Sequence, residues 1–136
     1  MKTFLLKRSD GNISIFRLHD EAKDVQGAIS KHYAKKKYTI TSFEEIDEAS
    51  VPKDREFRDA WEHDGSFKVN HAKAVAIQED RINRAKLKKS REILERETAG
   101  ENVTAEKAQL QAIDKRVTAK DMTELKASWP AGLERI

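Results

Sequence analysis

The sequence predicts an α+β protein, a small N-terminal ββαβ antiparallel sheet unit followed by a helical hairpin built on one long helix. Three observations predict it. Asp10-Gly11 separates two short β-rich runs, a helical pattern is followed by a strand-like alternation before residue 50, and residues 71 to about 98 contain neither Gly nor Pro. A chain of 136 residues has the length of one ordinary domain with a modest core. The expected division is 1–50 as the ββαβ unit, 51–70 as a connecting helix and turn, and 71–136 as the helical hairpin with its tail.

The first two strands are expected over 3–7 and 13–18, because Asp-Gly between β-rich runs tolerates the positive φ of a tight hairpin turn. Residues 20–37 place Val25, Ala28, Ile29 and Tyr33 at spacings of three and four, one face of a helix. Over 38–46, β-branched and aromatic residues alternate with polar ones, as in a half-buried strand. Pro52 breaks the chain by removing a backbone donor. Asp54 is then placed to cap a short helix carrying Phe57, Ala60 and Trp61 on one face. His63-Asp64-Gly65-Ser66 reads as a turn before a short strand at 67–69. The helix from 71 to about 98 is rich in strong helix formers, and Gly100 suits the left-handed position that ends it. Thr104 is expected to cap a second helix with Leu110, Ile113 and Val117 on one face, making a hairpin with the first. Residues 123–129 add a last turn before Pro130 stops it.

Charged residues make up 38% of the chain and aromatics 7%, a well-solvated but foldable mixture. Lys and Arg number 27 against 24 Asp and Glu, a net charge of only +3 that by itself does not require a nucleic-acid partner. Without Cys, disulfides, thiolate zinc sites, iron–sulfur clusters and cysteine nucleophiles are excluded. No apolar run reaches the roughly 18 to 20 residues that cross a bilayer. The apolar start, Phe4 to Leu6, falls short of the roughly 7 to 15 residues of a signal-peptide core. The expectation is a cytosolic protein, in whatever cell makes it, with no membrane partner and no cofactor.

Two features of the long helix carry the functional reading. Val75, Ile82 and Ile93 align on a helical wheel, but Lys86 and Lys89 fall near the same line, so the apolar stripe is interrupted. Such a stripe suits a helix that packs at both ends and is solvated, or completed by a partner, between them. The second feature is the run Arg81, Arg84, Lys86, Lys88, Lys89 and Arg91, without an acid among them. It could follow a nucleic-acid backbone. It reads more readily as a solvated face supported by the acids around it, Glu79, Asp80, Glu92, Glu95 and Glu97, which shrink its field. Lys35-Lys36-Lys37 reads as a set of cations complementing a helix C-terminus. The four histidines, His19, His32, His63 and His71, lack a metal-ligand spacing. The acids at 44–48 and 54–59 lack an apolar surround that would make one of them a catalytic acid. No nucleophile elbow or phosphate loop occurs, so no enzyme is expected. Trp61 fits a small core, and Trp129 fits either a core or an interface anchor.

Asp54-Arg55-Glu56-Phe57-Arg58-Asp59-Ala60-Trp61, Asp64-Gly65, Lys73-Ala74 and Asp80-Arg81-Ile82 at the head of a charged helix, with Leu125-Lys126-Ala127-Ser128-Trp129-Pro130 near the end, resemble a family of small proteins encoded among tail genes in bacterial prophages. The second-helix segment, Ala112-Ile113-Asp114-Lys115-Arg116-Val117, departs from the Lys-Gln-x-Leu-Arg-Asp pattern of that family. The resemblance implies a tail accessory component or a tail-fibre assembly chaperone working by protein–protein contact, and it supplies no functional residues. From the interrupted stripe and the tail tryptophan, the expected contact residues are Val75, Ile82, Ile93 and Trp129, with a phage structural protein or a second copy as partner. The alternatives are a nucleic-acid-binding module using the basic run and a small host-directed inhibitor.

Overall fold

A computed structural model describing residues 1–136 has mixed α and β structure with a small antiparallel sheet and several helices. The chain forms two compact units, Met1–Asn70 and His71–Ile136.

In the first unit, strands β1 (Lys2–Arg8) and β2 (Ile13–Leu18) pair antiparallel, with Phe4 opposite Phe16 and Leu6 opposite Ser14. Gly11 makes the turn at φ +85°, where a side chain would strain the backbone. The amide of Asn12 donates to the Asp10 carboxylate across 3.1 Å. Strand β3 (Ile40–Ile46) joins the other edge of β1, giving the order β2-β1-β3. Residues facing each other across the ladder share one side of the sheet. Phe4, Leu6, Phe16 and Leu18 therefore form one apolar face, and helix α1 (Val25–His32) covers it with Ile29, which is 2% exposed.

Helix α1 is shorter than the expected span of 20–37. Asp24 accepts from the Gly27 amide at 2.9 Å and starts the helix there. At the other end Tyr33 is the capping residue, its N–H bonded to the Ile29 carbonyl. Lys35, Lys36 and Lys37 thus lie beyond the last turn. Strand β3 also differs from expectation, because Thr41, Ser42, Phe43, Glu44 and Glu45 are all exposed. It is an edge strand, and its alternation does not bury a face.

Asp54 does not start an α-helix. Its carboxylate accepts from the Glu56 amide, and only a 3-10 turn, Arg58–Ala60, follows. Trp61 opens strand β4 (Trp61–His63), which pairs with β5 (Phe67–Val69) around a turn in which Gly65 has φ +76°. Aromatic residues at both ends of the ribbon favour this pairing. The Trp61 ring is 3% exposed and meets Phe67 edge to face at 5.7 Å.

The second unit is organised by α2 (His71–Thr98), whose bounds match the sequence expectation. It ends in a Schellman motif: the Glu101 amide donates to Arg96 O, the Gly100 amide donates to Glu97 O, both at 3.0 Å, and Gly100 has φ +91°. Helix α3 (Thr104–Ala112) follows; its N-cap is Val103, which gives no side-chain bond, and the Asn102 side chain just before it accepts from the Thr104 amide, so Thr104 is not the cap. It stops before Ile113, which is extended. Leu110, Ile113 and Val117 all reach the same core, but the last two do so from extended chain rather than from a helical face. Helix α4 (Met122–Lys126), capped by Asp121, completes the unit.

Candidate functional site on the long helix

The stripe of α2 is closed by the chain's own return path. Ala74, Gln78, Ile82, Ala85 and Ile93 are buried, at helical spacings of three, four and eight that keep one face inward. Ile82 and Ala85 form a core with Leu133, against which Leu110, Ile113, Val117 and Trp129 pack. Ile82 is 1% exposed and Ile93 3%, while Val75 is half-buried. Trp129 is also half-buried, and its indole N–H donates to Leu133 O at 2.8 Å. Of the four expected contact residues, none therefore projects freely from the unit.

Several polar residues on and beside the stripe bind backbone groups of the return segment. Lys86 Nζ donates to Ile113 O, Glu79 accepts from the Val117 amide at 3.0 Å, and His71 Nε2–H donates to Ala119 O at 2.8 Å. As the numbers fall along α2 they rise along the return segment, so residues 113–119 run antiparallel to the helix. Gln78, fully buried, donates to Leu125 O at 3.4 Å and Ser128 Oγ at 3.3 Å. Lys86 thus lies at the edge of the core with its stem half-buried and its ammonium on a carbonyl. The expectation that the lysines leave a gap in the stripe for a partner does not hold at Lys86, because the extended segment after α3 fills that place.

The basic run is partly neutralised within the unit. Arg84 pairs with Asp80, Lys88 with Glu134 at 3.5 Å and Lys89 with Glu92 at 4.0 Å. Lys86 is held by Ile113, Arg81 is half-buried, and Arg91 is exposed. Spacings of three and four place Arg81, Arg84, Lys88 and Arg91 on one shoulder of the helix, away from Lys86 and Lys89.

The outer face holds what the sequence reading passed over. Leu87 is 53% exposed and Leu94 61%, seven residues apart, with Arg84 and Arg91 between and beside them. The signal in the sequence is a 3-4-3 spacing from residue 84 to 94, arginine and leucine alternating along the face opposite Ile82 and Ile93.

The other candidate groups are dispersed. His63 Nδ1 lies 3.5 Å from Glu44 Oε1 and its ring meets Phe67 at 4.9 Å. His32 packs against Phe16 and Tyr33. No three His, Asp or Glu side chains are grouped to hold a metal ion. Among the acids at 44–48, bonds from Arg17 and then from Thr3 hold the Glu48 carboxyl below its ordinary pKa. That is the reverse of the shift a general acid needs. No helix is long and apolar enough to cross a membrane. No family model matches the chain, and neither curated proteins nor solved structures give a match.

Proposed function

We propose that the protein is a non-enzymatic phage or prophage component that works by protein–protein contact, as a tail accessory protein or a tail-fibre assembly chaperone in the host cytoplasm or on the virion. The observation that carries the contact reading is the outer line of α2, where Leu87 and Leu94 stand exposed one heptad apart beside Arg84 and Arg91. Apolar anchors edged by arginines suit a partner helix that offers apolar side chains edged by acids. The prophage resemblance of the 54–61 and 125–130 segments supplies the class of partner, a tail or tail-fibre protein. In this reading the chain is a ββαβ unit followed by a helical hairpin, and the inner stripe of Val75, Ile82 and Ile93, together with Trp129, holds the contact helix rigid instead of meeting the partner.

Co-expression with the tail and fibre proteins encoded beside its gene tests the proposal. A complex that survives purification and is lost in Leu87→Glu/Leu94→Glu is expected. A complex indifferent to that double change, or no complex with any of them, would remove its support. Nucleic-acid binding is the second reading, favoured by the shared shoulder of Arg81, Arg84, Lys88 and Arg91. It requires affinity that falls steeply with salt.

A further inference from the structure

The first unit contains a cavity of about 250 Å³ beside the edge strand β2. Its charged lining is lopsided. Arg8, Lys36, Arg55 and Arg58 border it, and Asp59 is the only acid among the lining residues. Lys36, Arg55 and Arg58 make no ion pair within the chain, in contrast to Arg84, Lys88 and Lys89 of α2. Arg8 is anchored by Asp10 and its guanidinium lies 3.5 Å from the Tyr38 ring centroid, yet its Nε is buried without a hydrogen-bond partner.

Lys36 lies beyond the last turn of α1. The pull of a helix C-terminus on cations fades beyond its last turn, and α1 closes at His32. The position of Lys36 on the cavity wall is therefore the feature of the lysine run that asks for a ligand. The remaining walls include Tyr33, Tyr38 and Trp61, with Tyr33 and Tyr38 tilted at 50° and 6.0 Å apart. Flat rings beside clustered cations suit a planar group that carries a phosphate. The volume lies below the roughly 300 to 1,000 Å³ of sites for larger ligands, so the fit is to one nucleotide and not to a dinucleotide.

We propose that this cavity binds a single phosphate-bearing nucleotide, with Arg8, Lys36, Arg55 and Arg58 around the phosphate and the tyrosines beside the base. The nucleotide is either free or the end of a single strand. The site is independent of the contact face on α2.

Titration of the ¹⁵N-labelled full chain tests it, with four probes in separate arms: inorganic phosphate, adenosine, adenosine monophosphate and a 5′-phosphorylated single-stranded hexanucleotide. The expected result is saturable shifts at the amides of Tyr33, Lys36, Tyr38 and Arg58 and at the Trp61 indole. They should appear with the monophosphate or the hexanucleotide, and the tighter of the two identifies the source. Kd should rise about tenfold or more in Lys36→Ala and in Arg58→Ala, both exposed positions, and again on raising salt. Absence of shifts with every probe, equal affinity for adenosine, shifts at 81–91 instead, or affinity unchanged in both variants would each overturn the proposal. Spectra of the free variants that overlay the parent away from the substitution show that lost binding is not lost folding.

Discussion

Lys86 donates from the middle of α2 to the carbonyl oxygen of Ile113, the residue that caps the end of α3. The last carbonyls of a helix lack intrahelical partners, and here a neighbouring helix supplies one. The lysine stem adds cover to the core edge, so the residue contributes twice. Lys86→Ala is expected to cost about 1 kcal/mol or somewhat more in urea unfolding, and Lys86→Met, which keeps the stem, less than Lys86→Ala. Equal stability of all three proteins would show that the bond contributes nothing.

Gly100 holds φ +91° with open space around its Cα. Steric collision is therefore not the issue, and only backbone conformation is. Gly100→Ala is expected to destabilise by about 1 kcal/mol, the cost of a left-handed non-glycine residue. A thermal melt of the variant against the parent measures it.

Glu48 accepts from Arg17 Nη2 at 2.7 Å and from the buried Thr3 hydroxyl. Its folded pKa is held below the ordinary 4.5. A depressed carboxyl pKa contributes stability that is complete above the unfolded value and lost as pH falls through the folded one. The melting temperature is thus expected to fall on acidification below about pH 4.5, and less steeply in Glu48→Gln, which cannot titrate. Parallel curves for the two proteins would remove Glu48 from the cause. Both charged partners are largely solvent-exposed, so the difference is expected to be small.

Leu87 and Leu94 offer a contrast with the inner stripe. Replacement of both by Ser is expected to leave stability within about 0.5 kcal/mol per site, as for other surface positions. A larger loss would mean that these side chains support the fold rather than a contact.

Local chemistry made part of this fold legible. Asp10-Gly11, the uninterrupted composition of 71–98 and Gly100 each act within a few residues, and the elements they specify lie where expected. What failed depends on distant partners. Trp61 sits in a strand because Phe67 and Val69 pair with its segment, and no periodicity within 54–61 records that. Ile113 and Val117 have helical spacing but lie in non-helical chain, where Lys86 holds the Ile113 carbonyl and Glu79 the Val117 amide. At the candidate site, charge type was readable while partnership was not. Lys86 and Lys88 look alike in sequence, yet one serves a carbonyl and the other a glutamate.

Whether the inner stripe of α2 belongs to the protein's own core is decided most directly by equilibrium unfolding of Ile82→Ala. Ile82 is 1% exposed against Leu133 and its neighbours, so a loss of about 2 to 5 kcal/mol is expected. A loss below about 0.5 kcal/mol, the range of surface substitutions, would contradict closure of the stripe by the return segment and restore it as a face held open for a partner.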